Sequence, residues 1–231
     1  MRMKAVQDLL ARSPIVARAA PFVFFLALTF LQGRFGEASN YWCYLLKIPV
    51  GAWMIWLMRP LVLEMRWAMS WEAVVVGVAV FVVWVGLDPF YPKLDQVHSS
   101  LGKPGRDWNP NLEFGAGSAL AWLFCIARIL GSTFVVPPLE ETFYRSFVYR
   151  YIVRPDFLAV PLGTFKWTPF LATSTVFGFA HGQWLAGILC GFAYQGLVCR
   201  KNRLGDAMTA HAITNCLLGL WVVGKGAWQF W

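Results

Sequence analysis

The amino-acid sequence predicts an all-α, polytopic bundle of transmembrane helices with about seven spans, or eight at most. The first observation is the composition: 58% of the 231 residues are hydrophobic and 14% are charged, whereas roughly 25% are charged in a soluble domain. The second is the length of the apolar runs, which approach the ~20 residues that a helix needs to cross a bilayer. We therefore expect the bilayer to surround most of the chain.

Seven apolar runs give the order of the predicted helices. The fifth and sixth runs are short and closely joined, so a tight hairpin is an alternative for that pair. The fourth run ends at Pro137-Pro138, which removes two backbone donors and predicts a broken helix with a new start at Leu139. The predicted spans are residues 15–31, 41–58, 71–87, 115–136, 168–182, 185–199 and 206–223.

The chain divides into two predicted parts after residue 114. Residues 1–114 hold the first three spans and an extracytoplasmic loop, residues 88–114, whose four prolines are typical of a connecting segment. Residues 115–231 hold the remaining spans and the polar motifs described below. The five cysteines show no CxxC spacing, so neither a disulfide framework nor a zinc ribbon is indicated.

The basic residues predict the orientation of the chain. They number 20 against 12 acidic residues, and most stand in short segments between apolar runs. With a cytoplasmic N-terminus, 13 of them lie on the cytoplasmic side, five lie outside, and Lys47 and Arg128 lie within spans. This asymmetry follows the positive-inside rule and predicts a multi-pass protein of a bacterial inner (plasma) membrane. Topology thus explains the net charge of +8 without a nucleic-acid partner.

Two glutamates follow the double proline. An ionisable side chain inside a span costs roughly 2.5 to 3.5 kcal/mol, so each one needs a partner or a function. Glu141 and Arg145 are four residues apart on a helix and can pair, whereas Glu140 points about 100° away and lacks that partner. Glu140 in a first helical turn could therefore act as a general base. The alternative is that both glutamates cap a cytoplasmic helix.

Two histidines add to this set of polar residues. His181 follows Phe177 by one helical turn, and His211 and Asn215 share one face of the last span. His211 and Asn215 could offer two hydrogen-bond donors to one oxygen, as an oxyanion site requires. They could equally join neighbouring helices, as polar residues in spans often do.

Along the chain, these residues form three motifs that resemble those of the CAAX protease and bacteriocin-processing (CPBP) family of intramembrane proteases, which is also called Rce1-like. Within this family, the chain resembles the CAAX prenyl protease-related subgroup. The motifs are Glu-Glu-x-x-x-Arg at 140–145, Phe-x-x-x-His at 177–181 and His-x-x-x-Asn at 211–215. The resemblance covers roughly residues 115–223. One departure is Ser146, because glycine often follows the arginine in this family.

The resemblance implies an intramembrane endopeptidase whose catalytic core is residues 115–231 and which needs no cofactor. It implies that Glu140 is the base that activates a water molecule and that His181 assists it. His211 and Asn215 would then stabilise the oxyanion. The residues that would orient these groups are Phe177, Glu141 and Arg145. The implied partners are membrane lipids and a peptide or protein substrate presented at the membrane. The substrate could be a lipidated protein or a sorting-signal protein, and the resemblance does not decide between them.

Two other functions remain open from the sequence. A zinc-dependent membrane protease could use Glu140, His181 and His211 as ligands, although the His-Glu-x-x-His spacing is absent. A non-enzymatic membrane protein, either a transporter or an immunity-type binding protein, could use the same ionisable residues. Transporters commonly carry inverted repeats, and the sequence has no internal repeat.

Overall fold

The computed structural model describes residues 2–94 and 107–231, and within these ranges the fold is all-α. The predicted fold class is therefore confirmed. The α-helices of the described ranges are α1 Arg2–Ala11, α2 Pro14–Thr29, α3 Ser39–Met58, α4 Trp71–Leu87, α5 Pro110–Phe114, α6 Ala119–Phe134, α7 Val136–Glu141, α8 Tyr149–Val153, α9 Trp167–Phe179, α10 Trp184–Lys201 and α11 Gly205–Lys225. A π-helix, Thr142–Val148, joins α7 to α8.

Each of the seven predicted spans coincides with a helix. Three continuous helical segments of the described chain are long and apolar enough to cross a membrane: Trp71–Phe90, Ala119–Val153 and Gly205–Lys225. The helix α2 is apolar but shorter. The number of spans therefore stays a prediction. The predicted loop lies partly outside the described residues, which leave out 95–106.

The predicted helix break lies slightly earlier than the sequence analysis placed it. The helix α6 ends at Phe134, and α7 begins at Val136 after the single residue Val135. Pro137 and Pro138 occupy the first turn of α7, because a proline in a first turn gives up an amide that has no helical partner. Glu140 lies at the end of α7 and not in its first turn. The prediction that unpaired backbone amides of a first turn favour the Glu140 carboxylate was therefore wrong.

The helix α11 is the centre of the bundle. It packs against α4, α6, α7 and α10, and its residues 205–212 are all buried. The contact with α4 depends on Gly77, where a Cβ atom would lie only 2.7 Å from the carbonyl oxygen of Ala210. A similar contact joins α9 to α10, since a Cβ atom on Gly187 would lie 2.9 Å from Gly178 Cα. These close contacts fix α11, which carries His211, and α9, whose C-terminal end leads into His181.

Candidate active site

The centre of the site is Glu141, which contacts two of the other motif residues. Its Oε1 atom lies 2.9 Å from His211 Nδ1, and its Oε2 atom lies 3.3 Å from Arg145 Nε. The side chains of Glu141 and Arg145 are completely buried. The structure thus forms the ion pair that the four-residue spacing suggested. It also joins the first motif to the third, a contact that the sequence analysis did not anticipate.

Phe177 organises the aromatic surroundings of the site. Its ring centre lies 4.6 Å from the Arg145 guanidinium, 4.7 Å from the His181 ring and 5.2 Å from the Tyr144 ring. The three guanidinium nitrogens of Arg145 make no hydrogen bond within the described ranges. Arg145 is therefore held by the charge of Glu141 and by the aromatic faces below it.

His181 lies just beyond the end of α9, where Phe179 is the last helical residue. Its Nδ1 atom is 2.8 Å from the backbone oxygen of Phe177. Because a carbonyl oxygen can only accept, Nδ1 carries a proton, and in the neutral ring Nε2 is then an acceptor. The Trp84 ring stands edge-on to the imidazole at 5.6 Å. His181 is thus fixed in one orientation, with a nitrogen that can receive a proton.

Asn215 and His211 are both held by neighbouring helices. Asn215 Nδ2 donates a hydrogen bond to the backbone oxygen of Ser132 at 2.8 Å, which ties α11 to α6. An amide nitrogen has two protons, so one N–H of Asn215 remains for another acceptor. The His211 ring stacks on Tyr194 at 5.2 Å, and the Tyr194 hydroxyl donates to Thr214 Oγ1 at 2.7 Å.

Two adjoining cavities are lined by five of the seven predicted site residues, whereas Glu141 and Arg145 line neither cavity. A cavity of about 240 Å³ is lined by His181, His211 and Asn215. A second cavity, of about 430 Å³, is lined by Glu140, Tyr144 and again His181. His181 thus contributes to the walls of both. The Oε2 atom of Glu140 is buried and has no hydrogen-bond partner in the part of the chain that the structure describes.

Several cavity-lining residues were not part of the predicted site, among them Tyr194, Ser132, Lys47 and Arg128. Tyr194 and Ser132 belong to no motif and could not be found from spacing, because they meet α11 only in the folded bundle. Lys47 and Arg128 were noticed only as charges within spans, yet both line the cavity that holds Glu140. A charge inside a span was the signal that could have assigned them to the site.

Ser146, the departure from the family pattern, is part of a second buried polar cluster. Its hydroxyl donates to Glu64 Oε1 at 2.5 Å and accepts from Arg18 Nε at 3.1 Å and from Arg150 Nη2 at 2.8 Å. Burial acts to raise the pKa of Glu64, but Arg18 and the Ser146 hydroxyl outweigh it and hold that pKa below its ordinary value. The cluster binds α2 and the α3–α4 connection to the π-helix and α8.

The comparison with protein families agrees with the arrangement of the motifs. Residues 120–217 match the family model described as type II CAAX prenyl endopeptidase Rce1-like. This segment is an Rce1-like domain. The Rce1-like segment contains all seven predicted site residues, and the family that it matches is one of CAAX prenyl endopeptidases. No curated protein and no solved structure matches the chain.

Proposed function

We propose that this Rce1-like protein is a glutamate-dependent intramembrane endopeptidase in which Glu140 activates the attacking water. The observation that carries the proposal is the environment of Glu140, whose Oε2 atom is buried and unpartnered within the described chain. Its cavity shares His181 with the cavity of His211 and Asn215. A base, its assistant and two oxyanion donors therefore line two adjoining cavities.

The proposed reaction is a general-base hydrolysis. Glu140 takes a proton from water as the oxygen attacks the carbonyl carbon of the scissile peptide bond. His211 and the free N–H of Asn215 stabilise the negative oxygen of the tetrahedral intermediate. The C–N bond then breaks, and Glu140 returns its proton to the leaving amine. His181, with Nε2 as an acceptor, assists in orienting the water.

The role proposed for Glu141 is to orient His211. If His211 Nδ1–H donates to Glu141, the other ring nitrogen is directed away from the carboxylate. That nitrogen donates to an oxyanion only when both ring nitrogens are protonated, and Glu141 is then the negative group that balances the imidazolium. Glu141 then faces two cations, the His211 imidazolium and the Arg145 guanidinium, so the three buried groups act as one unit.

The absence of a cofactor remains part of the proposal. A zinc alternative requires Glu140, His181 and His211 to converge on one ion. Within residues 2–94 and 107–231, no three His, Cys, Asp or Glu side chains are grouped in that way. We therefore expect proteolysis by the purified protein to survive treatment with a chelator, and loss of activity that added zinc restores would favour the metal mechanism.

We also propose that the protein lies in a bacterial plasma membrane with its N-terminus in the cytoplasm. In that orientation, Arg200 and Arg203 face the cytoplasm and the far end of α11 faces outward. Gly182, Gln183 and Trp231 line both cavities at this outward end. Substrate would then enter from the extracytoplasmic side. An alkaline phosphatase fusion after Trp231 should be active, and an inactive, stably expressed fusion would reverse the orientation.

The substrate is sought most directly by comparing the membrane proteomes of two strains. One strain carries the wild-type protein and the other carries Glu140→Gln at the same level. We expect at least one membrane-associated protein to be shortened only in the wild-type strain. Identical protein termini in both strains, with the expression of each variant verified, would contradict a protease function under those growth conditions.

A further inference from the structure

A third cavity lies at the end of the bundle where α3 ends and the α3–α4 connection begins. Its volume is about 970 Å³, which is at the upper end of the range for ligand-binding pockets. Gln7 of α1, Ile55 of α3 and Met65 of the connection contribute to its walls, and none of the seven predicted site residues does. The proposed peptide hydrolysis therefore makes no use of this cavity.

Two arginines line the mouth of this cavity, where the lining side chains are exposed. Arg59 is the C-cap residue of α3, and Arg66 lies seven residues later in the connection. Neither guanidinium has a hydrogen-bond or ion-pair partner within the described ranges. Glu64 is the single acidic residue between positions 59 and 70, and it already pairs with Arg18 and Arg150. Arg59 and Arg66 therefore bring two uncompensated positive charges to one cavity.

The mouth of the cavity also has two exposed tryptophans. Trp56 is 53% exposed and Trp67 is 48% exposed, and both line the cavity. Tryptophan is typical of the boundary between lipid and water, because its ring is apolar and its N–H is polar. The position of Arg59 agrees, since the 20 residues of α3 extend roughly 30 Å, the thickness of the hydrocarbon core. The mouth therefore lies at the level of the phospholipid headgroups.

The inner end of the cavity is apolar. Its buried lining residues are Met65 of the connection, Pro138 of α7 and Met208 of α11. Methionine side chains are flexible and adapt to ligands of irregular shape. The cavity thus combines a cationic mouth with an apolar interior. A phospholipid has the same division, with a phosphate at the surface of the membrane and acyl chains below it.

We propose that Arg59 and Arg66 bind the phosphate of an anionic phospholipid, one acyl chain of which enters the apolar interior of this cavity. Guanidinium groups match the oxygens of a phosphate with paired donors, and basic pockets between membrane helices are typical sites for lipid phosphates. A zwitterionic lipid fits less well, because its headgroup cation would meet two uncompensated arginines. Soluble phosphate offers the same oxygens but leaves the apolar interior unfilled.

The cavity places the lipid against two helices that carry proposed catalytic residues. Pro138 is two residues before Glu140 in α7, and Met208 is three residues before His211 in α11. A lipid that contacts both helices stabilises their packing, since a ligand that binds only the folded state raises its stability. The inference goes beyond the proposed protease function and does not depend on it.

Native mass spectrometry of the full chain in detergent tests the site directly. The protein is titrated with phosphatidylglycerol or with phosphatidylcholine of the same acyl chains, and the affinity for the first bound lipid is measured. Wild type should bind phosphatidylglycerol at least about tenfold more tightly, because this lipid has the phosphate without the headgroup cation. Adding phosphatidylglycerol to phosphatidylcholine nanodiscs should likewise raise the melting temperature of the protein.

Variants assign the lipid preference to the two arginines. Arg59→Gln and Arg66→Gln should each reduce the ratio of the two affinities, and the double variant should bring this ratio close to one. The charge-keeping Arg59→Lys should retain most of it. Arg200→Gln is the matched control, because Arg200 is an exposed arginine in the last turn of α10 that does not line the cavity. The control should keep the wild-type ratio.

Four results would overturn the lipid site. Two of them are equal affinities of wild type for the two lipids and an unchanged ratio in the double glutamine variant. The third is an equal fall of the ratio in Arg200→Gln, which would indicate general attraction to a positive surface. The fourth is displacement of the lipid by millimolar inorganic phosphate, which would assign the arginines to soluble phosphate. Failure of the protease proposal is distinguishable, because lipid binding is measured without any cleavage.

Discussion

Glu141 illustrates how one side chain can serve two neighbours in an apolar interior. One of its oxygens faces His211 and the other faces Arg145, and both carboxylate oxygens are buried. A buried carboxylate engaged in this way is poorly suited to receive a proton from water. Glu140, one residue earlier, lines a cavity and has an oxygen without a partner in the described chain. The two adjacent glutamates therefore have different proposed roles.

The Glu141–Arg145 pair should behave as a unit in stability measurements. We expect Glu141→Ala and Arg145→Ala each to lower the free energy of unfolding by about 3 to 5 kcal/mol, because each leaves a buried charge unpaired. The double variant should lose much less than the sum of the two. Denaturant unfolding of all four proteins in one detergent measures this, and additive losses would show that the two residues are not coupled.

Asn215 distinguishes catalysis from helix packing. If its second N–H stabilises the oxyanion, Asn215→Ala should lower turnover by roughly 10² to 10³, with little change in substrate affinity. If Asn215 only joins α11 to Ser132, the variant should lose about 0.6 to 2 kcal/mol of stability and keep its turnover. Turnover per folded molecule is the measurement, and an unchanged value would remove Asn215 from the oxyanion site.

Individual residue contacts were predictable only where they are local. The Glu141–Arg145 pair follows from a spacing of four on a helix, and the structure contains it. The contact of His211 with Glu141 spans 70 residues of sequence. It depends on α11 packing against α7, which no local pattern specifies. The contact of Tyr194 with His211 could not be predicted for the same reason, because the two rings belong to different helices.

At the scale of elements, the contact between α4 and α11 is sensitive to side-chain size. A Cβ atom at Gly77 would lie 2.7 Å from Ala210 O, and the carbonyl oxygen of Gly77 accepts a hydrogen bond from Thr214. We expect Gly77→Ala to lower stability by about 1 to 3 kcal/mol, as overpacking does. The displaced α11 carries His211, so activity should fall with it.

Gly86→Ala is the matched control for this prediction. Gly86 lies in the same helix, and a Cβ atom there would meet nothing within 4 Å. The control should keep or slightly raise stability, because alanine is the better helix former. Equal melting temperatures for the two variants would contradict the close contact of α4 with α11.

Helices were predicted more reliably than the details of their ends. Apolar runs of sufficient length identified the seven longest helices of the described ranges, because the bilayer requires internal hydrogen bonding over the whole run. The π-helix at Thr142–Val148 was not anticipated, since an angle of 100° per residue assumes an ordinary α-helix. The helix break lies before Val136 and not at Pro137-Pro138, because prolines are favourable within the first turn of a helix.

At the scale of the whole molecule, Glu64 connects the N-terminal helices to the Rce1-like domain. Arg18 and Arg150 both lie 2.8 Å from its Oε1 atom, one from each part of the chain. Its lowered pKa means that the ionised form stabilises the fold. This contribution is complete above the ordinary carboxyl pKa of about 4.3 and is lost as the pH falls through the lower folded value.

A comparison with Glu64→Gln tests this connection. The variant should melt at a lower temperature than the wild type at pH 7, because it leaves Arg18 and Arg150 without their counter-charge. The difference in melting temperature should begin to shrink below about pH 4.3, where the Glu64 carboxylate of the unfolded chain becomes protonated, and should vanish once the pH falls below the lower pKa of the folded protein. Thermal unfolding between pH 7 and pH 3 measures it, and a difference independent of pH would contradict the role of the ionised Glu64.

The central claim is that Glu140 is the base of a protease, and turnover by purified protein tests it most directly. A substrate found by proteomics would be incubated with wild type, Glu140→Gln and the control Glu113→Gln, all in nanodiscs. The account predicts that Glu140→Gln loses on the order of 10² to 10⁴ in rate while keeping its folded yield and melting temperature. Glu113→Gln should cleave like the wild type. Cleavage by Glu140→Gln at the wild-type rate would contradict the account.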